Sequence, residues 1–224
     1  MNNFLEIIKN RNSCRSFINE EISSNDIDTI LDVASNAPSG ANMQPFNIYH
    51  VSGDKLKKVT NDLIEYVSAG NPISQDIQYY PVNWINPYKK RRLTTGAGLY
   101  ELLKIDRKDK EKREEQWFDN FKWFNSQNVF FFTIDKQLID NSQGMLIDSG
   151  ILLQTMILAS ESLGYKCCPQ GATTEYGHII KKSLGIEDNE AMLFSLVVGK
   201  PTNDLINTYR PIKINYKESV KHIR

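Results

Sequence analysis

Between residues 143 and 163 the chain places apolar residues on nearly every face of a would-be helix. Met145, Leu146, Ile147, Ile151, Leu152, Leu153, Met156, Ile157, Leu158, Ala159 and Leu163 leave almost no side for water, and Gly164 follows as a helix-ending residue. A helix apolar all round must lie inside a large core or against another subunit. It is not a membrane span, because Gln154 interrupts the best window, GILLQTMILA, well short of the ~18 apolar residues a span requires. A chain of 224 residues, 40% of them hydrophobic, offers a modest core to enclose such a helix. The length suits one large domain, or a domain with a sub-lobe, at roughly 150 residues per domain.

The flanking sequence alternates helix and strand patterns. Residues 3–10 read as a short amphipathic helix. Ser23 opens a second, with Asp26 three residues on as in a capping box and Ile27, Ile30, Leu31 and Ala34 on one face. FNIYHV (46–51) alternates as a strand, and Gly53–Asp54 starts a helix running to about Ala69. Residues 71–127 are the least regular part, an excursion or lid with helices expected over 89–104 and 107–124. NVFFFTI (128–134) is a continuous apolar run that predicts a central strand, and AMLFSLVVGKP predicts another. Between these two, GYKCCPQ reads as a strand and TEYGHIIKKSL as a helix ending at Gly185. Residues 202–224 are polar, show no core pattern and need a neighbour to rest on. The expectation is an α+β layered domain spanning 1–224.

Charge and reactive residues exclude several chemistries. Lys plus Arg total 27 against 27 Asp plus Glu, so no global field exists to hold nucleic acid or an acidic membrane. The N-terminal MNNFLEIIKNRNS interleaves Glu6 and Lys9 with its apolar residues and lacks a signal-peptide core, which suits a cytoplasmic protein. Cys14, Cys167 and Cys168 show no CxxC spacing, so neither a disulfide framework nor a zinc site is expected, and no metal. The adjacent Cys167 and Cys168 form either two ordinary thiols or a strained vicinal disulfide. His50, His178 and His222 are scattered, without a carboxylate at ligand spacing.

Four short segments carry polar groups suited to a ligand. In RNSCRSF, Arg11, Ser13 and Arg15 at i, i+2 and i+4 project to one side of an extended backbone, presenting two guanidiniums and a hydroxyl to an anion. A solvated basic surface is the competing reading. In APSGANMQPF (37–46), Ser39, Asn42 and Gln44 accompany small residues that admit close backbone approach, or simply make a turn. In CCPQGATTEY, Gln170 and Gly171 present backbone N–H groups before a helix, or form an ordinary loop. In VGKPTNDLINTYRP, Lys200 and Arg210 follow a central strand, available to phosphate or to a surface acid.

In order and spacing these segments resemble the nitroreductase family. The resemblance runs from RNSCRSF through ILDVASNAPSGANMQPFNIYHV to DSGILLQTMILASESLGYKCCPQGA and LVVGKP…RP. The insertion NPYKKRRLTTGAGLYELLKIDRKDKEKREEQWFDNFKWF looks like that of the nitrobenzoate-reductase-like branch. The resemblance implies an α+β layered sheet with surrounding helices, two interlocked subunits, and bound FMN at each interface, with NADH or NADPH as donor. It assigns the phosphate to Arg11, Ser13 and Arg210, with Lys200 as a further candidate. Arg15 falls beside the flavin N1/C2 edge, where it stabilises the reduced cofactor. Pro38, Ser39, Gly40 and Asn42 come from the other subunit, and the backbone at Pro169, Gln170 and Gly171 faces N5. Asn12 stands where a basic residue is frequent, Cys14 where an aliphatic one is frequent, and Phe46 where Trp is common.

The activity so implied is a ping-pong transfer of two electrons from NAD(P)H through FMN to a nitroaromatic, quinone or similar small acceptor, in a cytoplasmic homodimer. An activated C=C bond, a halogenated aromatic or free flavin are alternative acceptors. A flavin-storing or redox-sensing protein without turnover is the reading from another class. The stretch Trp84, Pro87, Tyr88, Arg91 and Arg92 either lines the acceptor side or is a solvated helix start.

Overall fold

The computed structural model describes residues 4–223. Asn3 of the expected first helix and Arg224 of the expected extension lie outside them. Helix α1 (Phe4–Asn10) is followed by α2 (Ser24–Ala34), whose Ser23 cap accepts the Asp26 N–H at 3.1 Å. The Asp26 carboxylate does not close the capping box and instead accepts the Tyr165 hydroxyl at 2.7 Å. Next come β1 (Phe46–Ser52), α3 (Gly53–Ser68), α4 (Tyr88–Leu102) and α5 (Lys110–Phe118). The structure ends α5 well before residue 124. Beyond it the chain must carry Phe121, Trp123 and Phe124 into the core, and Trp123, Phe124 and Asn125 take φ of 55°, 51° and 70°, which no right-handed helix accommodates.

Strand β2 (Asn128–Asp135) leads into α6 (Lys136–Asn141), a helix with no counterpart in the sequence reading. It is too short to show a periodicity, and Asp135 starts it by accepting the Gln137 N–H at 2.8 Å. Then follow α7 (Gly144–Ser162), β3 (Lys166–Gln170), α8 (Gly177–Leu184), β4 (Glu190–Gly199) and the short α9 (Tyr216–Ser219). The start of TEYGHIIKKSL is a 3₁₀ turn over Ala172–Tyr176, with α8 proper beginning at Gly177. Among the described residues no helix is long and apolar enough to cross a membrane.

The sheet order is β1-β2-β4-β3, antiparallel throughout. Both strands expected to be central are central. Their side chains alternate between two cores. Phe130, Phe132, Leu196 and Val198 face α2 and α7, while Val129, Phe131 and Val197 face α3 and α8. Because both faces are covered, β2 reads as an unbroken apolar run rather than an alternating one. Each buried Phe contributes about 1.5–3 kcal/mol relative to exposure.

Helix α7 is only half enclosed by its own chain. Leu152 and Met156 are fully buried against the sheet, but Ile147 is 68% and Ile151 36% exposed. The C-terminal segment behaves similarly: Ile206 is buried, whereas Ile212 is 87% and Ile223 93% exposed.

A buried ion pair fixes the start of the excursion to the sheet. Asp76 lies 2.9 Å from Lys181, whose side chain is 3% exposed, and 3.1 Å from Lys136. It also accepts the Met192 N–H at 3.0 Å, and Lys181 donates to the Glu190 carbonyl at 2.7 Å. Burial raises the Asp76 carboxyl pKa, but the Met192 N–H and the two lysines together outweigh it and hold the group below its ordinary value. Asp76→Ala strands a buried ammonium and is expected to lower unfolding stability by about 3 kcal/mol in urea titrations. The pair's contribution is complete above the unfolded Asp value of ~3.9 and is lost as pH falls through the lower folded value. The stabilities of wild type and variant should therefore converge in acid, and a gap that widens there would contradict the assignment.

Candidate functional site

The loop from Arg11 to Phe17 is pinned to the edge of the sheet. Ser13 bridges Cys167 of β3, the Cys14 N–H donates to the Cys167 carbonyl at 2.9 Å, and Phe17 bridges Pro201. Asn12, Cys14 and Phe17 are buried. With Asn12 and Cys14 turned inward in an extended chain, Arg11, Ser13 and Arg15 turn outward together, as the i, i+2, i+4 spacing predicts. All three line one cavity of about 400 Å³, whose opposite wall is Tyr209, Arg210 and Lys213. A second cavity of about 600 Å³, between α4 and the C-terminal segment, shares those last three residues.

The smaller cavity is cationic and uncompensated. Among the described residues no carboxylate pairs with Arg11, Arg15, Arg210 or Lys213. The guanidinium of Arg15 donates to the Ser13 carbonyl at 3.2 Å, and that of Arg210 to the Asn207 and Tyr209 carbonyls at 2.9 and 3.0 Å. These neutral acceptors orient the cations without neutralising them. Neither His nor a carboxylate lines the cavity. Lys200 is elsewhere, with its ammonium 2.9 Å from Glu20 on an exposed surface. Asn12 reaches the cavity, but its amide donates to the Asn207 carbonyl at 3.0 Å.

The other two segments lie apart from this cavity within one chain. Pro38, Ser39, Gly40 and Asn42 form the turn between α2 and β1. Gly40 N–H donates to buried Asp148 of α7 at 3.1 Å, and the Gln44 N–H donates to the Ser39 hydroxyl at 3.0 Å. Ala41, Asn42 and Gln44 all have φ near +50°, a costly conformation that these contacts maintain. At the end of β3, Pro169 is half-buried and Gln170 turns inward, donating to the Asn120 carbonyl at 3.0 Å. Gly171 is covered by the ring of Tyr79, which a Cβ at that position would overlap. In the excursion the cations stack on the aromatic rings, Arg92 lying 4.9 Å from the centre of Trp84 and Arg91 5.6 Å from that of Tyr88.

Several residues of the site escaped the sequence reading. Lys213 and Tyr209 line the cavity beside Arg210, and a basic residue three positions on from a candidate arginine is a usable signal. Asn207, Asp148 and Tyr79 act through tertiary contacts and left no local pattern.

A family model described as the nitroreductase family matches residues 8–200. A 4-nitrobenzoate reductase of Pseudomonas putida is 28% identical over 208 residues, covering 92% of this chain and 89% of the relative. Another 4-nitrobenzoate reductase, from Nocardioides sp. (strain LMS-CY), is 27% identical over 199 residues, 88% of this chain and 79% of its own length. Among solved structures, the FMN and NADPH-dependent nitroreductase NfnB from Sphigopyxis sp. strain HMH superposes with a TM-score of 0.95 at 24% identity, over 99% of both chains.

Behind the cavity wall, Cys14, Cys167 and Cys168 are free and buried. Burial pushes the Cys14 thiol up to about 11 and Cys168 to about 12, in the latter case against the opposing charges of Arg15 and Arg11. Cys167 is raised further by the same cause. Thiolate is the reactive form, so all three should resist Ellman's reagent in the native protein at pH 8 and react fully in denaturant. Rapid native labelling of any one of them would contradict this burial.

Proposed function

Because the chain belongs to the nitroreductase family, we propose that it binds FMN between two copies of itself and passes two electrons from NADH or NADPH to a nitroaromatic, quinone or similar acceptor. Turnover is ping-pong and cytoplasmic. The observation that carries this reading is the uncompensated cation cluster around the 400 Å³ cavity. A phosphate monoester fits that donor set: it is dianionic, accepts forked guanidinium donors, and needs no carboxylate nearby to repel it. When bound, FMN supplies the two-electron chemistry.

The chain's residues bind, orient and polarise. Arg11, Arg210 and the Ser13 hydroxyl hold the phosphate, and Asn12 braces their wall through its bond to Asn207. Lys200, engaged by Glu20, is left out of that set. Arg15 brings a positive charge with no counter-ion, stabilising negative charge that develops beside it. Solvent supplies protons, consistent with a cavity lined by neither His nor carboxylate. Pro38, Ser39, Gly40 and Asn42 serve the partner's site, and the backbone at Pro169, Gln170 and Gly171 serves the flavin ring of its own. The chain is one FMN-binding domain, with residues 71–127 as a lid and 202–224 embracing the partner. Exposure of Ile147, Ile151, Ile212 and Ile223 supports a shared core, since apolar side chains in such numbers need covering.

Loss of one charge-assisted bond costs about 1.5–3 kcal/mol, so Arg11→Ala is expected to weaken FMN binding by about tenfold or more. Arg15→Ala should retain FMN but slow its bleaching by NADPH by about tenfold. Fluorescence titration and anaerobic stopped-flow absorbance read the two effects. Unchanged affinity in the first variant and unchanged bleaching in the second would refute the assigned roles. An apoprotein that takes up no FMN would overturn the proposal. Light scattering should give a particle near twice the 25.7 kDa chain mass, and a stable monomer would contradict the shared site.

A further inference from the structure

Two chain segments far apart in sequence build the cationic cavity, and one side chain joins them. Asn207 Oδ1 accepts the backbone N–H of Arg15 at 2.8 Å and the Cys14 thiol at 3.2 Å. Its Nδ2 donates to the Ser16 carbonyl at 2.8 Å and to the Thr202 carbonyl at 3.1 Å. Its own carbonyl accepts Asn12 Nδ2 at 3.0 Å and Arg210 Nη1 at 2.9 Å. One residue thus fixes the backbone under Arg15, the amide of Asn12 and the guanidinium of Arg210. A carboxylate at this position would bring a negative charge beside the cations and lack the two amide donations. An aliphatic residue would leave the Arg15 N–H without its partner.

We infer that Asn207 is the positioning residue of the anion site: it holds Arg15 and Arg210 at fixed separation against their mutual repulsion, without cancelling their charge. It touches neither the phosphate nor the ring and acts through the residues that do. The inference rests on the FMN reading above. Its specific consequence is selectivity. Riboflavin carries the same ring system without the phosphate, and Arg15 is assigned to the rate of reduction rather than to affinity, so losing the residue that orients Arg210 and Asn12 affects FMN binding far more than riboflavin binding. A residue that merely stabilises the fold affects both alike.

The test titrates apoprotein with FMN and with riboflavin, following flavin fluorescence, for wild type and Asn207→Ala. Far-UV dichroism and the thermal midpoint confirm folding. Wild type is expected to prefer FMN, and the variant to lose about tenfold or more of that preference, while riboflavin affinity changes by no more than about threefold. A wild type with no preference for FMN would overturn both this inference and the FMN reading. A preference that survives in the variant, or a parallel loss for both flavins, would overturn the role of Asn207 alone. If Asn207→Ala does not fold, Asn207→Ser takes its place with the same expected results. Failure of both to fold would assign the residue to the fold and overturn the inference.

Discussion

Like charges gathered without counter-ions must be held apart by something other than opposite charge, and the site of this protein is built around that constraint. Arg11, Arg15, Arg210 and Lys213 share one cavity and, among the described residues, pair with no carboxylate. The chain has as many acidic as basic residues, 27 of each, so the shortage is local and reflects where the acids are used. Glu20 occupies Lys200, Asp76 holds Lys136 and Lys181, and Glu161 holds Lys166. The guanidiniums of Arg15 and Arg210 are steered instead by backbone carbonyls. The arrangement carries a self-repulsion that an entering dianion would relieve.

The sheet makes that arrangement possible. Strand β3 is the edge beside which Arg11 to Phe17 lies, and its register with β4 is fixed by the apolar residues that β4 sends to both cores. Burial of Asn12 and Cys14 then determines which way the arginines point. The same packing leaves α7 half covered: the sheet takes Leu152 and Met156, while Ile147 and Ile151 remain for another surface. The exposed face of α7 and the cationic cavity are both consequences of how the chain packs on one sheet. Asp148 ties α7 to the turn before β1, buried in the helix while its carboxylate accepts the Gly40 N–H.

What the sequence revealed follows from the range over which each feature is determined. Strands β2 and β4 were legible because burial on both faces writes a continuous apolar run. The outward trio Arg11, Ser13 and Arg15 was legible because an extended backbone alternates at a period of two. The end of α5 was not, because the left-handed turn at Trp123–Asn125 exists to seat Trp123 on Thr60, to whose hydroxyl its indole donates at 2.7 Å. Helix α6 was too short for a pattern. The sequence leaves Lys200 open to phosphate or to a surface acid, because the acid that takes it, Glu20, lies 180 positions away in the chain. The role of Asn207 is hidden for the same reason: its bonds to Cys14, Arg15 and Ser16 span about 190 positions, and nothing local marks them.

In the proposed function this cationic cavity serves a flavin that takes electrons from one substrate and gives them to another in separate steps. Anaerobic double mixing tests it most directly, with FMN-loaded protein mixed first with one equivalent of NADPH and then with 4-nitrobenzoate. Oxidised flavin absorbance should be lost in the first phase, in the absence of any acceptor, and return fully in the second. Absorbance unchanged after NADPH, or bleached flavin that the nitroaromatic does not reoxidise, would contradict it.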